Sequence, residues 1–279
     1  MNADFLPFAH SLADAAGAII RPYFGTALSV DVKADHSPVS IADREAEAAI
    51  RALVAARFPE HGIYGEEYGQ QSTSQRYTWV IDPIDGTRAF LAGKKEWGTL
   101  IALCEDGVPI LGILDQPVTG ERWVGMRDTP STYTVTPSHD GVHLEAFEKK
   151  DGPRHKAGVT HLCRSRPCPS LADAALSTTS KNHFTPPQAR AFIGLAEACG
   201  EVIADGDCYA YGLLACGLRD LVADAGLKPY DILALAPIIQ GAGGIITGWD
   251  GAAITLTHYA TALAGGNAAL HAAARGMLA

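Results

Sequence analysis

Trp79-Val80-Ile81-Asp82-Pro83-Ile84-Asp85-Gly86-Thr87 runs from an apolar stretch straight into two carboxylates. Its first part, Thr78–Ile81, has the β-branched and aromatic character of a buried strand. Asp82 and Asp85 stand close enough in sequence to reach one point around a tight turn, and Gly86 lets the backbone approach what binds there. Carboxylates gathered in this way suit a hard divalent cation such as Mg²⁺, which prefers oxygen ligands and keeps part of its water. The ordinary alternative is a surface turn with capping carboxylates. The apolar strand that feeds the turn speaks against it.

Working outward, two helices precede this strand. Phe5, Phe8, Leu12, Ala15, Ile19 and Tyr23 recur at helical steps until Pro22 and Gly25 close the segment. A second helix follows Ser40, with Ile50, Leu53, Val54 and Phe58 on its apolar face, and Ser40-x-x-Asp43 has the form of a capping box. Downstream, Thr99–Cys104 and Pro109–Leu114 read as strands. Arg127–Gly158 is rich in Pro, Ser, Thr, Lys and His, and reads as irregular with exposed strands. Beyond it Leu176–Thr179, Glu201–Ala204, Leu221–Ala223 and Gly244–Ile246 read as strands. Pro187–Cys199, a segment starting at Tyr211–Leu214, and Ile232–Ile239 read as helices. That alternation predicts an α/β layer. The chain thus divides into an α+β half, residues 1–155, and an α/β half, residues 156–279.

Composition narrows the function. The 279 residues suffice for roughly two domains of ~150 residues, and 47% apolar with 19% charged residues is globular. Lys plus Arg number 22 against 31 Asp plus Glu, a net charge of -9, so no basic excess exists to hold nucleic acid. The opening MNADFLPFAH lacks the basic and apolar regions of a leader, and six cysteines without a CxxC pair read as reduced thiols, which together predict a cytoplasmic protein. Ile232–Trp249 is uncharged, but Pro237, Gln240 and the glycines at 241, 243 and 244 argue for helix, turn and strand rather than a membrane span. The histidines show no metal-binding spacing, and Cys208 reads as a buried thiol rather than a nucleophile. Taken singly, Gly65-Glu66-Glu67 is an acidic turn, Asp43 a cap and Asp231 a helix N-cap, while Asp207 and Asp224 merely follow apolar stretches.

Their order is what carries weight. Asp43, Gly65-Glu66-Glu67, Asp82-Pro-Ile-Asp-Gly-Thr87, and Tyr230-Asp231 followed by Gly241-Ala-Gly-Gly244 resemble the inositol monophosphatase family of Mg²⁺-dependent, lithium-sensitive phosphatases. The resemblance runs from about residue 5 to about residue 270. Three stretches look like its histidinol-phosphatase branch: Asp85–Phe90 leading into Lys94–Leu103, Gly206–Tyr211, and Leu227–Asp231 leading into Leu235–Ile238. The polar segment Asp128–His161 departs from the family pattern.

The resemblance implies a layered α-β-α-β-α sandwich of the inositol monophosphatase and fructose bisphosphatase type, with the active site between the halves and a homodimer as the assembly. It implies that Glu66, Asp82 and the carbonyl of Ile84 hold one Mg²⁺, and that Asp82, Asp85 and Asp231 hold a second, with a third, weaker ion near Glu66. Water attacks in line; Thr87 orients it and Asp43 accepts a proton through the threonine hydroxyl, so Asp43, Thr87 and Glu66 are the catalytic groups. The amides of Gly86 and Thr87 receive phosphate oxygens. Arg88 contacts phosphate or solvates the surface. Trp97, Asp207 and Asp224 face the alcohol part of the substrate, with a core aromatic as the other role open to Trp97. The implied substrate is a small phosphate monoester, L-histidinol phosphate, with inositol 1-phosphate or 3′-phosphoadenosine 5′-phosphate as alternatives. A non-catalytic binding protein on the same fold is the remote alternative, and the presence of Glu66, Asp82, Asp85 and Thr87 argues against it.

Overall fold

Helix α1 (Phe5–Ile20) buries Phe5, Ala9, Leu12, Ala13, Ala16 and Ile20, a stripe at steps of three and four. Its partner α2 (Ile41–Arg57) buries Ala42, Asp43, Ala46, Glu47, Ile50 and Val54, while Leu53, expected on that face, is 38% exposed. The seam runs through every third and fourth residue from Ala42, and Leu53 falls beside it. The computed structural model describes residues 4–26, 30–32, 38–71, 75–136, 158–204 and 206–278. A ribbon of β1 (Val30–Val32) and β2 (Pro38–Ser40) joins the two helices. Most of the departing segment Asp128–His161, together with the boundary after residue 155, lies outside the described residues.

Both helices cover one face of an eight-stranded sheet. Its strands are β3 (Gly62–Gly65), β4 (Gly69–Gln71), β5 (Tyr77–Asp85), β6 (Gly98–Glu105), β7 (Val108–Gln116), β8 (Glu121–Met126), β9 (Thr132–Val135) and β10 (Thr160–Leu162), in the order β10-β9-β8-β7-β6-β5-β3-β4. Neighbours are antiparallel except β3 and β5. Side chains alternate between two cores: Ile101 and Leu103 of β6 face α1 and α2, while Leu100, Ala102 and Cys104 face the other side. The expectation of exposed strands after Arg127 is corrected by β9, whose Tyr133 is fully buried against Trp123 at 4.8 Å between ring centroids.

A short helix, α3 (Thr87–Leu91), follows β5, and the rest of the chain adds α4 (Pro186–Ala198), α5 (Asp207–Ala215), α6 (Pro229–Ile232), α7 (Leu235–Gly241) and α8 (Ala268–Leu278). Ile232–Ile239, expected as one helix, is divided between α6 and α7, and the helix expected from Tyr211 already starts at Asp207. A five-stranded sheet takes the order β12-β11-β13-β15-β14 from β11 (Ala175–Thr178), β12 (Glu201–Ala204), β13 (Leu221–Ala225), β14 (Ile245–Thr247) and β15 (Thr261–Gly265). Helices α5 and α7 lie between the two sheets, and α4 and α8 cover the outer face of the smaller one. The layers are α-β-α-β-α, as expected. In the middle layer the buried Glu121 of β8 accepts the hydroxyls of Thr119, Tyr133 and Tyr209 at 2.6, 2.6 and 2.8 Å, tying the large sheet to the first turn of α5.

Candidate active site

Four elements converge where β5 ends. Asp82, 2% exposed, uses Oδ1 to accept the N–H of Ile84 at 3.0 Å, which folds the chain back at Pro83. The register of β5 against β6 is irregular between Asp82 and Asp85, so both acidic side chains serve one region instead of opposite faces. Asp85 Oδ2 accepts the N–H of Cys208 at 2.7 Å, the first turn of α5. Asp231 lies at the third position of α6 rather than at its N-cap, and its Oδ2 accepts the N–H of Lys228 at 2.8 Å. Asp82, Asp85 and Asp231 each bring an oxygen within 4.8 Å of the others. Glu66 follows β3, and its N–H is held by the Ile81 carbonyl at 3.2 Å, beside Asp82.

These carboxylates crowd one another. Burial first, and then the charges of Glu66, Asp85 and Asp231, hold the Asp82 pKa well above the usual carboxylate range. Burial and the neighbouring Asp207 and Asp231 raise Asp85 likewise. Asp231 is pushed up to about 7, chiefly by burial. The donor set is all oxygen, with the Cys208 sulfur turned toward the Asp85 carbonyl at 3.8 Å. Mutually repelling carboxylates, Asp82 buried and Asp85 and Asp231 half-buried, with no soft ligand among them fit a hard divalent cation.

The other expected residues are placed unevenly. Gly86 caps α3 with a φ of 93°, a conformation that favours glycine, and an added Cβ there would meet Asp207 Oδ2 at 2.9 Å. Thr87 donates its hydroxyl to the Ile84 carbonyl at 3.1 Å, so its single proton must turn away from Ile84 to serve a relay to Asp43. Asp43 Oδ2 accepts both the N–H and the hydroxyl of Ser40, at 2.9 and 2.6 Å, in the expected capping box. Asp43 also lies with Glu66 and Glu67 in a second acidic group. A cavity of about 630 Å³ is lined by Glu66, Asp82, Asp85, Thr87, Arg88, Asp207, Asp224 and Asp231. Trp97 is not on its wall: the indole is fully buried and packs against Phe24 and Phe90, with ring centroids 5.9 and 5.0 Å apart. Asp224 is 2% exposed and accepts from the Thr178 hydroxyl, the Thr179 amide and the Tyr211 hydroxyl at 3.0, 2.7 and 2.9 Å. Its carboxylate, itself on the cavity wall, secures that wall at Thr179.

Several wall residues escape a reading of the sequence, among them Lys94, Thr179, Ser180, His183 and Lys228. Glu47, buried beneath the Gly65–Glu67 turn, escapes it too. Its one signal was the helical-turn spacing from Asp43.

The model of the inositol monophosphatase family matches residues 1–277. The chain belongs to that family. An Arabidopsis thaliana relative named bifunctional phosphatase IMPL2, chloroplastic, is 43% identical over 88% of this chain, which spans 65% of the plant protein's length. A Mycobacterium tuberculosis histidinol-phosphatase is 36% identical over 91% of this chain and 90% of its own. Among solved structures, an inositol monophosphatase from Zymomonas mobilis superposes with a TM-score of 0.82 and 41% identity, covering 99% of this chain and 97% of that one. Inositol monophosphatases are phosphatases that use divalent metal ions, and the acidic groups here accord with that chemistry. No helix among the described residues is long and apolar enough to cross a membrane.

Proposed function

We propose that the protein is a Mg²⁺-dependent phosphomonoesterase that releases phosphate from L-histidinol phosphate. The observation that carries this reading is the cavity in which Asp82, Asp85 and Asp231 converge beside Asp207. Glu66, Asp82 and the Ile84 carbonyl are assigned to one ion, and Asp82, Asp85 and Asp231 to a second. Bound Mg²⁺ supplies positive charge against the phosphate oxygens and acidifies water for the attack. The amides of Gly86 and Thr87 receive phosphate oxygens. The Thr87 hydroxyl rotates from Ile84 to orient water and passes a proton toward Asp43. Exposed Arg88 adds a cation at the cavity wall. Asp207 takes the ammonium of histidinol, a charge-assisted contact that inositol cannot supply. Asp224, on the cavity wall, faces the alcohol part of the substrate and also holds Thr179, while Trp97 acts from behind by packing against Phe90 and Phe24.

Histidinol-phosphatases from three bacteria, at 32–36% identity, support this substrate. The Zymomonas structure and the bifunctional plant relative support inositol 1-phosphate as a second reading. Six free thiols fit a reducing compartment, the cytoplasm, and the resemblance fits a homodimer. Phosphate release from L-histidinol phosphate, inositol 1-phosphate and 3′-phosphoadenosine 5′-phosphate, each with Mg²⁺ and with EDTA, tests the reading. A preference of about a hundredfold in kcat/KM for histidinol phosphate, roughly 2.7 kcal/mol of transition-state discrimination, is expected. Preference for inositol 1-phosphate transfers the assignment to the second reading.

A further inference from the structure

Glu47 is fully buried, and nothing in the scheme above uses it. Its Oε2 accepts the N–H of Glu67 at 2.7 Å, and its Oε1 accepts the N–H of Tyr68 at 3.2 Å and Arg51 Nε at 2.7 Å. Arg51 also donates to the carbonyl of Gly69. Glu67 and Tyr68 form the turn between β3 and β4, which carries Glu66. From the other side, a Cβ on Gly65 would lie 1.8 Å from Glu47 Oε1, so only glycine leaves room for the carboxylate.

The backbone is therefore pinned on both sides of the Glu66 side chain: its own N–H by Ile81 and the next one by Glu47. A buried carboxylate with two amides and a guanidinium is desolvated yet satisfied, which makes it a stiff anchor. Without it, the turn must be ordered when a ligand binds, and that entropic cost moves from folding to binding.

We propose that Glu47 is a positioning residue for the metal centre: it fixes the β3–β4 turn so that Glu66 is held beside Asp82, and thereby sets Mg²⁺ affinity without touching ion or substrate. This rests on the metal-dependent reading given above. The test is calorimetric titration of metal-stripped protein with Mg²⁺ alone, for wild type and Glu47→Gln, whose amide nitrogen cannot accept the turn's N–H groups. The expected result is a dissociation constant raised about tenfold or more. The Mg²⁺ concentration for half-maximal turnover rises in parallel, while kcat at saturating Mg²⁺ stays within about threefold. Gly65→Ala, which drives the carboxylate off the turn from the opposite side, is the second variant and shifts affinity the same way. Unchanged Mg²⁺ affinity in either folded variant overturns the role of Glu47 alone. Absence of Mg²⁺ binding by the wild type overturns the metal-dependent reading and this inference with it.

Discussion

Asp85 gives one oxygen to the Cys208 amide and brings a carboxylate oxygen to the Asp82–Asp231 group. Asp85→Asn keeps the shape but removes the charge, and turnover should fall at least about a hundredfold, since even outer contacts of a metal ligand are worth 10–100-fold. Far-UV circular dichroism should not change, and a near wild-type rate would refute the ligand assignment. His61 offers a test of a different kind. Its Nδ1 accepts the Trp79 indole N–H at 3.1 Å, its ring stacks on Phe58 at 4.6 Å, and burial holds its pKa below 6.5. The folded protein binds this proton less readily than the unfolded chain. The stability it contributes is thus complete above the unfolded value and lost as pH falls through the lower folded one. His61→Phe should therefore melt well below wild type at pH 8 and approach it toward pH 5. A gap in Tm that stays constant with pH would show that His61 does not titrate against the fold.

At the level of elements, the capping box of α2 holds Asp43 as well as the helix end. Ser40→Ala removes the hydroxyl from Asp43 Oδ2 and should cost about 1 kcal/mol, or about 3 °C in Tm. An unchanged thermal melt would mean that the backbone N–H alone holds Asp43. Local signals of this sort made α2, the β5 turn and the strands β11, β12, β13 and β14 of the second half legible in the sequence. The start of α5 was not, because Gly206 and Asp207 enter the helix with positive φ values, 119° and 39°, which no local apolar pattern signals. Nor was the burial of β9, since Tyr133 is covered by Trp123 and Tyr209 of other elements, and no local pattern reveals such partners. Asp82 and Asp85 were readable as a pair from their turn. Trp97 was open between the site and the core, and only its contact with Phe90 shows which way it faces, whereas Asp224, expected at the site, lines the cavity.

Across the whole molecule, the middle layer has no side of its own. Leu100, Leu114 and Trp123 of the large sheet share one core with Tyr211, Leu214 and Ile238 of the inner helices and Val222 and Ala264 of the small sheet. Residues 1–155 and 156–279 should then unfold together. Denaturant curves from tryptophan fluorescence and from far-UV circular dichroism should coincide, and two resolved transitions would restore independent halves. The converging carboxylates have a consequence for the chain as a polymer. Asp85 and Asp231 are separated by about half the sequence, so an ion held by both, as proposed above, would close a very long loop. Such an ion would be a removable clasp: the unfolded chain cannot bring the two carboxylates together, so binding would favour the folded state by mass action, a chelator would withdraw that support and added Mg²⁺ would restore it.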